Sequence, residues 1–304
     1  MTVSTLPVAR APLAWAATAP RRRRPSRRPS HGGGEQNAMD EPTGPTEPTG
    51  SNRHRRWVTG RLAAGEPRVR LLCFPQAGGA AGAFSVWRPH LPAGVELAPV
   101  ELPGRGTRRA EPLPDDLGAL VGALLEALDD EFKRPYALFG HSFGGLVAYE
   151  LALRIGQYGI APPRAVLVSG ARAPHATARA EPVHERDDAG LLEWLRGTGG
   201  MPASLLRQTG YVRSVLAAVR ADLTLGVAHR RAEPLPLACP LHVFGGTADP
   251  VVPPAELQDW RAYATSAVPV TLYPGDHFYL YADPARLLAD IAAVTGPGRS
   301  GFSR

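Results

Sequence analysis

Residues 140–144 read Gly-His-Ser-Phe-Gly and stand between a short apolar run, Tyr136-Ala-Leu-Phe139, and a stretch of helical spacing from Leu146 to Tyr158. A serine with a glycine two residues away on each side, at the end of a strand and the start of a helix, constrains this chain more than any other feature. Glycine has no Cβ, so the turn can be tight and strained, and the Ser142 hydroxyl is lifted clear of the strand end. The N–H of Phe143 then falls in the first turn of the helix. Backbone donors there lack an intrahelical acceptor and can stabilise a developing negative charge.

The surrounding pattern predicts where such a turn sits. Short apolar runs at Val69–Phe74, Val95–Val100, Tyr136–Phe139, Ala165–Ser169, Leu241–Gly245 and Val270–Tyr273 read as strands. Between them, 115–129 and 146–158 carry apolar residues at helical spacing, and Pro284–Val294 reads as a closing helix. Buried strands alternating with amphipathic helices imply a mostly parallel sheet with helices on both faces. With the glycine–serine turn, the expectation is an α/β-hydrolase fold. Residues 176–230 interrupt the alternation with helical stretches (191–196, 211–221) and no strand. An insertion there, at the strand ends of a parallel sheet, is read as a helical lid.

Charge separates the chain into two parts. Residues 1–38 contain seven arginines and one acid, Glu35, which accounts for the whole net charge of +6 and leaves the remainder with 27 bases and 27 acids. The folded part therefore offers no basic face for nucleic acid. Residues 1–56 combine the arginine block, Gly32–Gly34 and a repeated Glu-Pro-Thr-Gly. They bury too little apolar surface to offset the entropy of ordering, so a disordered tail is expected, followed by one domain over 57–298. The apolar stretch Ala11–Ala19 precedes the arginine block, the wrong order for a secretory signal, and Met39 is an alternative start. No run of 18 apolar residues marks a membrane span. Cys73 and Cys239, far apart and without metal-ligand spacing, are expected as buried free thiols in a reducing cytoplasm. Neither a metal site nor a bound cofactor is expected.

A serine hydroxyl needs a base, and in this fold the acid and then the histidine follow it in the chain. Of the five histidines after Ser142, His277 lies in the loop after the last strand, within Pro274-Gly-Asp-His277. His242 is mid-strand and should be packed, and His175, His184 and His229 fall before or inside the insertion and are expected to be solvated or structural. His141 is placed beside the serine rather than facing it. For the acid, Asp249 follows the strand ending at Gly245, whereas Asp276, the rival, adjoins His277 and should diverge from it in a tight loop. Asp249 is the expected orienting acid. A second oxyanion donor is expected from the glycine-rich loop Phe74-Pro-Gln-Ala-Gly-Gly79, at the Ala77 N–H with Gln76 beside it.

The stretches Leu72-Cys-Phe-Pro-Gln-Ala-Gly-Gly79, Trp87, Leu102-Pro-Gly-Arg105 and Gly140-His-Ser-Phe-Gly-Gly145 resemble the type II thioesterases of polyketide and nonribosomal peptide pathways. Gly199-Gly-Met-Pro202, Val219-Arg-Ala-Asp222, Phe244-Gly-Gly-Thr-Ala-Asp-Pro250 and Gly275-Asp-His-Phe278 continue the likeness, in the family's order, from about Val69 to Leu288. The resemblance implies an α/β-hydrolase core with a helical lid, acting on acyl groups carried on the phosphopantetheine arm of acyl or peptidyl carrier protein domains. Its usual role is editing of stalled or aberrant units. It places nucleophile, acid and base on Ser142, Asp249 and His277, and the oxyanion loop on Gln76 and Ala77. This chain departs from the pattern at Gln76, often His or Tyr in the family, and at Gly106, where some members carry an acid. The alternatives are a carboxylesterase-like serine hydrolase on small free substrates, an acyltransferase, or a fold retained for binding. A monomer is the expected state for this fold.

Overall fold

A computed structural model describes residues 57–200, 208–229, 231 and 233–296. The tail expected over 1–56, and Met201, Pro202, Leu205 and Leu206 of the insertion, lie outside the described residues. Seven strands form one sheet: β1 (Leu62–Ala63), β2 (Val69–Phe74), β3 (Val95–Pro99), β4 (Tyr136–His141), β5 (Val166–Ser169), β6 (Leu241–Gly246) and β7 (Val270–Tyr273). Their order across the sheet is β1-β3-β2-β4-β5-β6-β7. Strands β2 to β7 are parallel, and β1, at the edge of the sheet, pairs antiparallel with β3. The sequence gives no sign of β1: two residues are too few to show an alternating pattern.

The two-residue period of a strand explains why both faces are covered. In β2, Leu72 and Phe74 belong to one apolar cluster and Leu71 and Cys73 to the other; in β4, Leu138 lies in the first, and Ala137 and Phe139 in the second. The first cluster is closed by α1 (Leu117–Ala127) and α2 (Phe143–Gln157), which contribute Leu120, Leu124, Leu146 and Ile155. The second is closed by α6 (Pro284–Thr295) and the 3-10 segment Ala81–His90, through Leu287, Ile291, Phe84 and Trp87. Each such side chain, taken from water, contributes about 1.5–3 kcal/mol. Cys73 and Cys239 are buried, free, and in different clusters.

The insertion is helical. After two 3-10 turns it forms α3 (Asp188–Gly197) and α4 (Thr209–Ala228), and it holds its own apolar cluster of Val183, Leu191, Leu195, Val212, Leu216 and Val219. Helix α4 runs further than the expected 211–221, because its later residues continue to pack: Leu225 joins the main core. A short helix α5 (Tyr279–Ala282) precedes α6. Among the described residues, no helix is long and apolar enough to cross a membrane.

Candidate active site

The candidate residues meet at the carboxyl ends of the parallel strands, where open α/β sheets place their ligand sites. Ser142 joins β4 to α2 with φ 54° and ψ −120°, and it is the only non-glycine residue at positive φ among those described. Its N–H bonds to the Ser169 carbonyl at the end of β5 (2.8 Å), and its carbonyl accepts the Gly145 N–H (2.9 Å). The glycines make the turn possible. A Cβ on Gly140 would fall 2.0 Å from the Gly144 carbonyl oxygen, and one on Gly144 would fall 2.2 Å from that of Phe74. Helix α2 therefore begins at Phe143, three residues before the apolar spacing begins at Leu146, since the small residues between carry no hydrophobic signal.

Asp249 and His277 come together from the loops after β6 and β7. The buried His277 donates from Nδ1 to Asp249 Oδ2 at 2.8 Å. Asp249 Oδ1 accepts the N–H groups of Val251 (2.7 Å) and Val252 (2.9 Å), so both oxygens are held. With Nδ1 protonated, Nε2 is left as an acceptor. Asp276 is a turn residue, as its adjacency to His277 implies: its Oδ1 caps the Phe278 N–H at 2.8 Å on the surface.

Ser142, Phe143, Gln76, Ala77 and His277 all line one cavity of about 800 Å³, and Trp194, Val215 and Val219 of the insertion form its far wall. That volume is in the range of small-molecule sites. Tyr211 also lines it, while exposing part of its ring to solvent. The Gln76 carbonyl accepts the Gly79 N–H at 2.8 Å, which sets the plane of the Gln76–Ala77 peptide. In a trans peptide the Ala77 N–H then points away from that turn. The Gln76 side chain, which also lines the cavity, accepts the Tyr281 hydroxyl at Oε1 (3.1 Å), leaving its amide Nε2 as the donor end.

The other histidines separate as their positions suggest. His229 bonds to the buried Glu150 (2.8 Å), His175 to the Tyr263 hydroxyl (2.9 Å), and His242 is half-buried, its pKa lowered by burial. Glu150 also pairs with Arg231, and these partners outweigh its burial and hold its carboxyl below the ordinary range. His141 departs from the simple reading. It is fully buried, its Nδ1 donates to the Ser169 carbonyl (3.1 Å), and its ring packs against His277 at 4.7 Å between centroids. Burial first, and then the charge on His277, push its pKa well below the ordinary value. Gly170 permits this packing: a Cβ there would lie 2.9 Å from the His141 ring and 3.2 Å from that of His277. Among the described residues, no cluster of His, Cys, Asp and Glu could hold a metal ion.

Comparison with known proteins decides the family. Residues 69–294 match the thioesterase domain family. This chain belongs to that family. The thioesterase is 37% identical over 243 residues to linear gramicidin dehydrogenase LgrE of Brevibacillus parabrevis, covering 79% of this chain and 92% of that protein. It is 35% identical over 252 residues to the probable cadicidin biosynthesis thioesterase of Streptomyces griseus, covering 83% of this chain and 69% of that one. Among solved structures, the RedJ thioesterase of the prodiginine pathway of Streptomyces coelicolor superposes with a TM-score of 0.71 at 36% identity, over 77% of this chain and 94% of RedJ. Two residues that close quoted motif stretches form a pair that the motifs do not show. Arg105 and Asp222 are buried and paired beside the cavity; the stretches that end on them marked each residue, but nothing in the sequence joined positions 117 residues apart.

Proposed function

We propose that this thioesterase hydrolyses acyl thioesters held on the phosphopantetheine arm of acyl or peptidyl carrier proteins, and that it clears stalled or aberrant units from a modular synthase. The observation that carries the chemistry is the His277–Asp249 pair beside a strained Ser142 in one cavity. The carrier-bound substrate is supported by the type II thioesterases among its relatives and structural neighbours, including the enzymes of the borrelidin and yersiniabactin clusters. The Brevibacillus relative is named a dehydrogenase; the serine at the strand–helix turn favours acyl transfer to water here.

In the first half of the reaction Ser142 Oγ attacks the thioester carbonyl as His277 Nε2 takes the hydroxyl proton. Asp249 keeps Nδ1 protonated and stabilises the imidazolium. The oxyanion is met by the Phe143 N–H at the start of α2 and by the Ala77 N–H. Collapse breaks the C–S bond, and the pantetheine sulfur leaves with the proton from His277. In the second half water attacks the acyl-serine, His277 accepts its proton and returns it to Ser142 Oγ, and the free acid departs. No metal or cofactor has a part in these steps. A cytoplasmic setting is supported by the two unpaired cysteines.

The test is labelling by a fluorophosphonate followed by peptide mapping, with thiol release measured from acyl-N-acetylcysteamine thioesters. The expected label is on Ser142, and it abolishes thiol release. A label elsewhere, or full turnover after labelling, would overturn the assignment.

A further inference from the structure

Helix α4 belongs to the insertion, yet one of its side chains is built into the loop beside the nucleophile. Asp222 is completely buried, and its Oδ2 accepts the Gly78 N–H at 2.8 Å. The same carboxylate takes the buried Arg105 in bidentate fashion, Nη2 to Oδ1 at 2.9 Å and Nη1 to Oδ2. Arg105 is steadied in turn by a bond from Nε to the Pro103 carbonyl, 3.2 Å. Three segments distant in sequence thus meet at one carboxylate: the loop after β2, the loop after β3, and the insertion.

A second observation is steric. Gly78 has φ +70°, and a Cβ there would fall 2.3 Å from the Val219 side chain and 3.1 Å from the Val219 backbone nitrogen. The backbone of α4 therefore rests on the loop, one turn of helix before Asp222. Gly78 directly follows Ala77, so the bond from Asp222 holds the peptide plane adjoining the one whose N–H faces the oxyanion.

Resting on the mechanism proposed above, we infer that Asp222 is a positioning residue for the oxyanion hole, which makes the Ala77 donor dependent on the docking of helix α4. When α4 is seated, the Ala77–Gly78 plane is fixed and both donors are in place. When α4 lifts, Gly78 loses its acceptor, the loop relaxes, and Ser142 is left with the Phe143 donor alone. Docking of the insertion and completion of the hole are then one event, and the dependence is felt in turnover rather than in ground-state binding.

The decisive variant replaces the ion pair by an apolar pair, Arg105→Met with Asp222→Leu. Such an exchange leaves no unpaired buried charge and is tolerated by many folds. Removing an oxyanion donor costs about 10²- to 10³-fold in kcat, so mis-setting one is expected to lower kcat per titrated active site about 10- to 100-fold, with KM within about 3-fold. A purely structural role would lower the melting temperature and the fraction of active sites and leave kcat per site unchanged, and that result would overturn the inference. Hydrogen exchange on the wild-type enzyme tests it without substitution. Binding of an acyl trifluoromethyl ketone should slow exchange over residues 75–80 and 209–228 together; protection of one without the other would contradict it. Wild type and Ser142→Ala run alongside: equal turnover by these two would refute the serine mechanism instead.

Discussion

His141 and His277 pack ring against ring, 4.7 Å between centroids, with Gly170 beneath both. The arrangement keeps a neutral imidazole behind the one that gains and loses a proton in the proposed mechanism. Its pKa is lowered by burial and by the His277 charge. Below about pH 6.5 the unfolded chain therefore binds a proton at His141 that the native state refuses, and stability falls as pH falls. Urea unfolding should show a smaller free energy at pH 5 than at pH 7.5, with His141 responsible for at most about 2 kcal/mol of the loss. His242 adds in the same direction, whereas Glu96 and Glu150, held below their ordinary 4.5, lose their contributions only at lower pH. His141→Gln should flatten the slope between pH 7.5 and 5; an unchanged slope would contradict the account.

The two aspartates near His277 should behave very differently. Asp249→Asn removes the acceptor that fixes the His277 tautomer, and kcat should fall about 10³- to 10⁴-fold while the protein stays folded. Asp276→Asn keeps an oxygen able to cap the Phe278 N–H, so kcat should stay within about 3-fold. Steady-state kinetics on one acyl thioester distinguishes the pair, and the reverse ranking would move the orienting role to Asp276.

Gly144 touches the backbone of β2 so closely that any side chain must displace it. Gly144→Ala should destabilise by about 3 kcal/mol or more, as overpacking with no room to relax does. Thermal unfolding measures this. A melting temperature equal to wild type would show that the turn has more slack than the 2.2 Å approach to the Phe74 carbonyl indicates.

The sequence carried the sheet because buried parallel strands are short apolar runs: five of the six expected runs start on the first residue of a strand, and the sixth, Ala165–Ser169, starts one residue before β5. It carried Ser142 through its glycines, and His277 and Asp249 through chain order and the ends of strands. Asp276 was separable from Asp249 because adjacent side chains in a tight turn diverge. What it could not show depends on contacts between distant segments. The packing of the His141 ring against His277 needs β4, β5 and the last loop side by side. The Asp222–Gly78–Arg105 junction joins positions 144 and 117 residues apart. Gln76, read as a neighbour of the oxyanion, is turned to Tyr281 across 205 residues.

The central claim is that Ser142 removes acyl groups from a carrier protein. Its most direct test is intact-protein mass spectrometry of an acylated carrier protein incubated with wild type and with Ser142→Ala. The account predicts loss of the acyl mass, with the phosphopantetheine arm retained, in the presence of wild type only. Persistence of the acyl group with both enzymes, while wild type cleaves a simple ester, would contradict the carrier-bound substrate. Its loss with both would contradict the nucleophile.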